Sequence, residues 1–174
     1  NGNGSLMRIL PIALAYADDP DLIVKASEIS TLTHAHERSR FCCAFYCLVA
    51  SELTHGGSIE EATTFAWEIL DHRWTFSAAE RPRFEALHPD RLFARAEETI
   101  RSTGHVIDTL EAVLWINAQH DDFAEAVLHA VNLGDDTDTT GCVAGGLAGI
   151  LHGEGAIPAE WVEGLVKREE LMAL

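Results

Sequence analysis

His36-Glu-Arg-Ser-Arg-Phe-Cys-Cys-Ala-Phe-Tyr-Cys-Leu-Val-Ala-Ser-Glu-Leu-Thr54 is the stretch whose reading decides the fold. It contains no Gly or Pro, and Gly56 and Gly57 close it. Its centre, Phe41–Ala50, is apolar on every helical face. A helix of that kind is stable only when neighbours surround it, so the spacing predicts a helix through the core. The run is about half of a membrane span, and no membrane partner is expected.

Helical periods continue on both sides. Leu6–Ala17 reads as helical, with Pro11 bending it or ending its first part. Pro20–Ser30 places Leu22, Ile23, Ala26 and Ile29 on one face. Ser58-Ile-Glu-Glu61 has the form of a capping box before a helix over Glu60–Leu70. Residues 71–90 read as an irregular but packed loop, since Trp74, Phe76 and Phe84 are bulky. Arg91–Arg101 and Ile107–Ala118 read as helices. Asp122 is expected to cap the next, and the last strong helix spans about Asp138 to Gly153, with a short one after Pro158. No segment alternates with period two. The prediction is an all-α, compact multi-helix bundle with residues 1–174 as a single domain.

The 174 residues are 47% hydrophobic, enough for a core, and carry a formal net charge of −16. That charge repels phosphate backbones and argues against nucleic-acid binding. Cys42, Cys43 and Cys47 lie within six residues, with Cys142 apart and no C-x-x-C pair. Reduced thiols acting as small apolar residues, in a reducing cytoplasm, are expected. The chain opens on Asn and shows no signal peptide, so removal of an upstream segment is expected.

Two clusters stand out. Gly141, Gly145, Gly149 and Gly153 recur every fourth residue and line one helical face. Each costs about 1 kcal/mol relative to Ala in a helix interior. Close packing against another helix is the first explanation and ligand approach the second, with Gly141 best placed for the latter. Asp135-Asp136-Thr137-Asp138-Thr139-Thr140 then gathers three carboxylates and three hydroxyls. Hard oxygens suit Mg²⁺, Mn²⁺ or Ca²⁺. Helix capping with solvated charges explains the cluster equally well. An EF-hand starting at Asp136 fails, because its twelfth position is Leu147 instead of Glu. Asp136-Thr-Asp138-Thr-Thr140 also matches a D-x-D-x-T phosphatase motif, but only 34 residues follow Thr140, too few for a doubly wound sheet.

Four ordered segments resemble the ADP-ribosylglycohydrolase family, which includes dinitrogenase reductase-activating glycohydrolases. They are Asn1-Gly-Asn-Gly-Ser-Leu-Met-Arg8, Thr33-His34, Gly104-His-Val-Ile-Asp-Thr-Leu-Glu-Ala112 and Val131-Asn-Leu-Gly-Asp-Asp-Thr-Asp-Thr-Thr-Gly141. They span residues 1 to 153 with the glycine row included. The resemblance implies an all-α fold and two Mg²⁺ ions, or Mn²⁺, with Asp136, Asp138 and Thr139 as metal ligands. It implies that Asn3, Gly4, Ser5, His34 and His105 line the substrate site. The metals would hold the distal ribose and activate or position a water for attack at C1, with further catalytic residues expected in the absent N-terminal part. Read without the family, His34 is a surface or cap residue, Met7 and Ile9 are core residues, and Arg8 pairs with an acid.

Three departures from the family pattern matter. Its first motif, a Thr-Asp-Asp metal segment, is absent, so this chain is expected to carry one half of the site as the C-terminal portion of the domain. The rest would come from an N-terminal part, joined or as a separate chain. His105 replaces a frequent Tyr, and Asp135 a frequent Gly. The reaction implied is hydrolysis of the bond joining ADP-ribose to a protein side chain or small molecule. The alternative is an inactive ADP-ribose-binding or structural member of the same fold.

Overall fold

The computed structural model describes residues 1–173 and places eleven α-helices in them. The first four are α1 (Leu10–Ala15), α2 (Leu22–Thr31), α3 (Glu37–Thr54) and α4 (Ile59–Arg73). Two single turns follow, α5 (Arg81–Phe84) and α6 (Pro89–Leu92). The second half holds α7 (Val106–Gln119), α8 (Phe123–Asn132), α9 (Thr137–His152), α10 (Ala159–Glu163) and α11 (Arg168–Met172). Among the described residues no strand forms; the sole extended pairing is an isolated bridge between Gly2 and His105.

Helix α3 is the axis. Every residue from Phe41 to Ala50 is buried, and α1, α2, α4, α7 and α9 pack around it. This is the all-round apolar helix that the sequence predicts, and its burial is the main source of stability. Its N-terminus is capped by His36, whose Nδ1 accepts from the Arg38 N–H at 3.2 Å. The capping box before α4 is complete: Glu61 N donates to Ser58 Oγ, and Ser58 N to Glu61 Oε2. Asp122 caps α8 by accepting from Glu125 N at 3.0 Å. Among the described residues no helix is long and apolar enough to cross a membrane.

Several expectations are corrected. Pro11 sits in the first turn of α1, where no intrahelical N–H is needed, so it starts the helix instead of bending it. Arg91–Arg101 is not one helix: α6 ends at Leu92, and Glu97–Thr99 forms a single 3₁₀ turn. The competitor is tertiary: Trp115 Nε1, on α7, donates to the Arg95 carbonyl at 3.1 Å, taking an acceptor that a helix would use. The loop after α4 is packed, as its aromatics suggest. The Phe84 ring lies 4.1 Å from that of Phe41, with Trp74 and Phe76 each 5.4 Å from Phe41. Met7 is 45% exposed, against the core role expected for it, whereas Ile9 is fully buried. Arg8 donates to the Ile29 carbonyl and not to an acid.

Gly141, Gly145 and Gly149 of the glycine row face α8, whereas Gly153 ends α9 at φ +78°, where a Cβ would meet nothing within 4 Å. A Cβ at Gly141 would stand 2.9 Å from Val131 Cγ1 and one at Gly145 3.4 Å from Val127 Cγ2, both on α8. Gly141 therefore serves packing and not ligand approach. The tightest contact lies outside the row: a Cβ at Gly146 would meet Tyr46 Oη at 2.6 Å and Leu10 Cδ2 at 2.9 Å. Cys42, Cys43 and Cys47 are buried and unpaired, and burial pushes each thiol up. Cys142 is also free, as expected, but lies exposed.

Candidate functional site

Four separate segments meet at one end of α7 and α9. The N-terminal loop is stitched to the start of α7 by its backbone: Asn3 N donates to the Gly104 carbonyl at 3.2 Å, and Val106 N to the Asn1 carbonyl at 3.1 Å. Asp136 N donates to the Ser102 carbonyl at 3.0 Å, which brings the acidic turn to the same place. That turn reverses through two left-handed residues, Gly134 at φ +85° and Asp135 at φ +53°. Asp is among the few side-chain-bearing residues that enter this region readily, and a Gly there would be relaxed.

Asn3 links these segments. It is buried, and its Nδ2 donates to Asp136 Oδ2 at 2.7 Å and to Thr109 Oγ1 at 2.9 Å. An amide NH₂ has two hydrogens, so both are used inside the protein. Asn3 therefore holds the acidic turn, a positioning job that the resemblance alone does not give it. Thr109 is a residue the sequence reading missed. Its spacing of one helical turn from His105 is the signal that could have found it.

Ser5 is fully buried. Its Oγ lies 3.0 Å from Ser30 Oγ and accepts from Cys43 Sγ, so the side chain faces inward. His34 lies against the glycines: a Cβ at Gly4 would stand 3.0 Å from its Cε1, and one at Gly2 3.5 Å from its Nε2. Its Nδ1 pairs with Thr33 Oγ1 at 2.7 Å. The lack of a side chain at Gly4 is what admits the ring. His105 precedes α7, and its Nε2 lies 3.3 Å from Arg38 Nη1. Burial pushes the His105 imidazole below its usual range, with Arg38, Arg83 and the N-terminal amine adding to this and Asp108 opposing it.

Asp136, Asp138 and Thr139 sit together at the start of α9. Asp136 is the N-cap of α9 without a well-formed capping hydrogen bond, although the nearby Thr139 N–H helps to hold its carboxyl down. The Asn3 amide holds the Asp136 carboxyl below the usual carboxylate range, with burial opposing and Thr139 contributing less. Asp138 is exposed and Thr139 buried. Thr140 turns into the core, where its hydroxyl has no partner within the described chain. The three donors Asp136, Asp138 and Thr139 are hard oxygens of the kind that hold Mg²⁺ or Mn²⁺. Among the described residues, no group of three His, Cys, Asp or Glu side chains is arranged to hold a metal ion. The donor set thus fits a divalent cation in chemistry but is only part of a coordination shell.

The chain matches the sequence model of the ADP-ribosylglycohydrolases over residues 1–174. It is 32% identical over 174 residues to an ADP-ribosylarginine hydrolase Tri1 of Pseudomonas putida (strain GB-1), covering 99% of this chain and 44% of that protein. It is 29% identical to the ADP-ribosyl-[dinitrogen reductase] glycohydrolase of Rhodospirillum rubrum, covering 97% of this chain and 52% of that one. A solved structure described as an ADP-ribosylglycohydrolase-related protein complex superposes with a TM-score of 0.84 at 33% identity, over 99% of this chain and 57% of that chain. The chain spans about half the length of the curated relatives it matches. By its sequence and its all-α architecture, the chain belongs to the ADP-ribosylglycohydrolase family.

Proposed function

We propose that this chain is the C-terminal half of a metal-dependent hydrolase that cleaves the glycosidic bond between ADP-ribose and a protein side chain or small molecule. The observation that carries the reading is the Asn3 bridge. One amide ties the glycine loop, which is to face ADP-ribose, to the carboxylate that is to face the metal. Asp136, Asp138 and Thr139 would hold Mg²⁺ or Mn²⁺, two ions being expected in the complete site. When bound, the ions supply charge to orient the distal ribose and to activate water. The chain's own residues bind and orient. The His34 ring packs against Gly2 and Gly4, and His34 and His105 would present their ring faces to the ligand.

The remaining metal ligands are to come from an N-terminal portion of the domain, joined or as a separate chain. The incomplete cluster supports this. Native mass spectrometry of active material tests it: a second polypeptide or a longer chain is expected, and a lone 19.0 kDa species with full turnover contradicts it. ADP-ribosylated arginine is the first substrate to try, since relatives at 32% and 30% identity carry the name ADP-ribosylarginine hydrolase. Release of ADP-ribose from an ADP-ribosylarginine peptide, with Mg²⁺ and with EDTA, tests the reaction. The same incomplete cluster also favours the second reading, an inactive ADP-ribose-binding member. Binding without turnover in the completed protein selects it.

A further inference from the structure

The chain carries few cations for its many acids, yet two of its arginines gather beside the substrate loop. Arg38, in the first turn of α3, forms a two-pronged ion pair with Glu80: Nε to Oε2 at 2.5 Å and Nη2 to Oε1 at 2.9 Å. Both side chains are only 15% exposed, and Arg83 Nε lies 3.9 Å from the same carboxylate. The prong left over, Nη1, points to His105 Nε2 at 3.3 Å. A guanidinium only donates, so Nε2 must be an acceptor and the proton of a neutral ring must sit on Nδ1. Nδ1 in turn lies 3.7 Å from Asp108 Oδ1. The backbone of His105 is fixed independently, by its bridge to Gly2 and by its N–H to Thr103 Oγ1 at 3.2 Å.

We propose that the Arg38–Glu80 pair is a positioning device for His105, locking the imidazole as the Nδ1–H tautomer and fixing its ring at the edge of the glycine loop. Glu80 comes from the loop after α4, which the Phe41–Phe84 contact anchors to the core. The rigid part of the fold thereby sets the orientation of one ring at the site. The groups facing that ring are Arg38, Arg83 and the N-terminal amine, which oppose its protonation, and Asp108, which favours it. The role in ligand selection rests on the glycohydrolase reading above. The hold on the ring does not.

Long-range ¹H–¹⁵N NMR of the full chain at neutral pH reads the tautomer directly. The wild type should show His105 as Nδ1–H. Arg38→Met and Glu80→Gln should give a mixture of tautomers with the near-ultraviolet circular dichroism unchanged, and Arg38→Met should raise the His105 titration midpoint. An unchanged tautomer in both variants overturns the proposal, as does a wild-type ring protonated on Nε2. Calorimetry with ADP-ribose and Mg²⁺, on the chain completed with its N-terminal portion, forms the second arm, with at least a threefold loss of affinity expected in Glu80→Gln. Equal affinity despite a released ring overturns the ligand role. If the wild type itself binds no ADP-ribose, the functional reading fails while the tautomer result still decides the positioning role. Should either variant misfold, Arg38→Lys keeps the charge but lacks the third prong, and it too should lose the single tautomer.

Discussion

Asn3 Nδ2 stands 2.7 Å from Asp136 Oδ2, a bond between residues 133 positions apart. It joins the start of the chain to the acidic turn, and nothing in local sequence specifies it. Asn3→Ala should leave Asp136 without its main hydrogen-bond donor and raise its carboxyl toward the ordinary range. A group whose folded pKa is depressed adds stability above its unfolded pKa and loses it as pH falls through the folded value. The stability gap between wild type and Asn3→Ala should therefore be widest at neutral pH and shrink as the solution is acidified through the carboxylate range. Urea titrations at several pH values check this, and a gap independent of pH would speak against it.

Asp135 occupies the left-handed region at φ +53°. A β-branched side chain is strained there by roughly 1–2 kcal/mol, whereas Gly is not. Asp135→Val should lower stability by about that amount. Asp135→Gly should match or exceed the wild type in the same urea titration.

Gly146 and Gly145 are neighbours on α9 with different surroundings. A methyl at Gly146 meets the Tyr46 hydroxyl, which donates to the Val143 carbonyl at 3.1 Å. Gly146→Ala should destabilise by about 1–3 kcal/mol through overpacking. Gly145→Ala meets only Val127 at ordinary range and should be close to neutral. Thermal midpoints of the two variants give the comparison.

Phe84 is fully buried against Phe41. Phe84→Ala should cost about 3–5 kcal/mol, as for a core aromatic. A loss below about 1 kcal/mol would mean that the loop after α4 adds little to the core.

The elements legible in the sequence were those with a local signal. The apolar circumference of Phe41–Ala50 marked α3, Ser58 and Glu61 marked α4, and Asp122 marked α8. The site segments were legible through motif order, since Gly4, His34, Asp136 and Asp138 each lie within a short pattern. What escaped depends on distant partners. The Arg91–Arg101 helix failed because Trp115 claims the Arg95 carbonyl, and no period reveals that. The role of Gly146 was hidden because its neighbours, Tyr46 and Leu10, come from α3 and α1. The grips of Asn3 on Thr109 and of Arg38 on His105 are likewise tertiary. Cys142 and Met7 read as apolar residues, yet each lies near the surface, Cys142 Sγ lying 3.9 Å from the Met7 carbonyl.

Asp138 and a divalent cation are proposed to form this chain's share of an ADP-ribose site that an N-terminal portion completes. Isothermal titration of ADP-ribose in millimolar Mg²⁺ and then in EDTA, on the protein completed with its N-terminal portion, as wild type and as Asp138→Asn, is the decisive measurement. The account predicts binding to the wild type in Mg²⁺, with strong weakening by EDTA and by the substitution alike. Binding that persists unchanged in EDTA and in Asp138→Asn would contradict it.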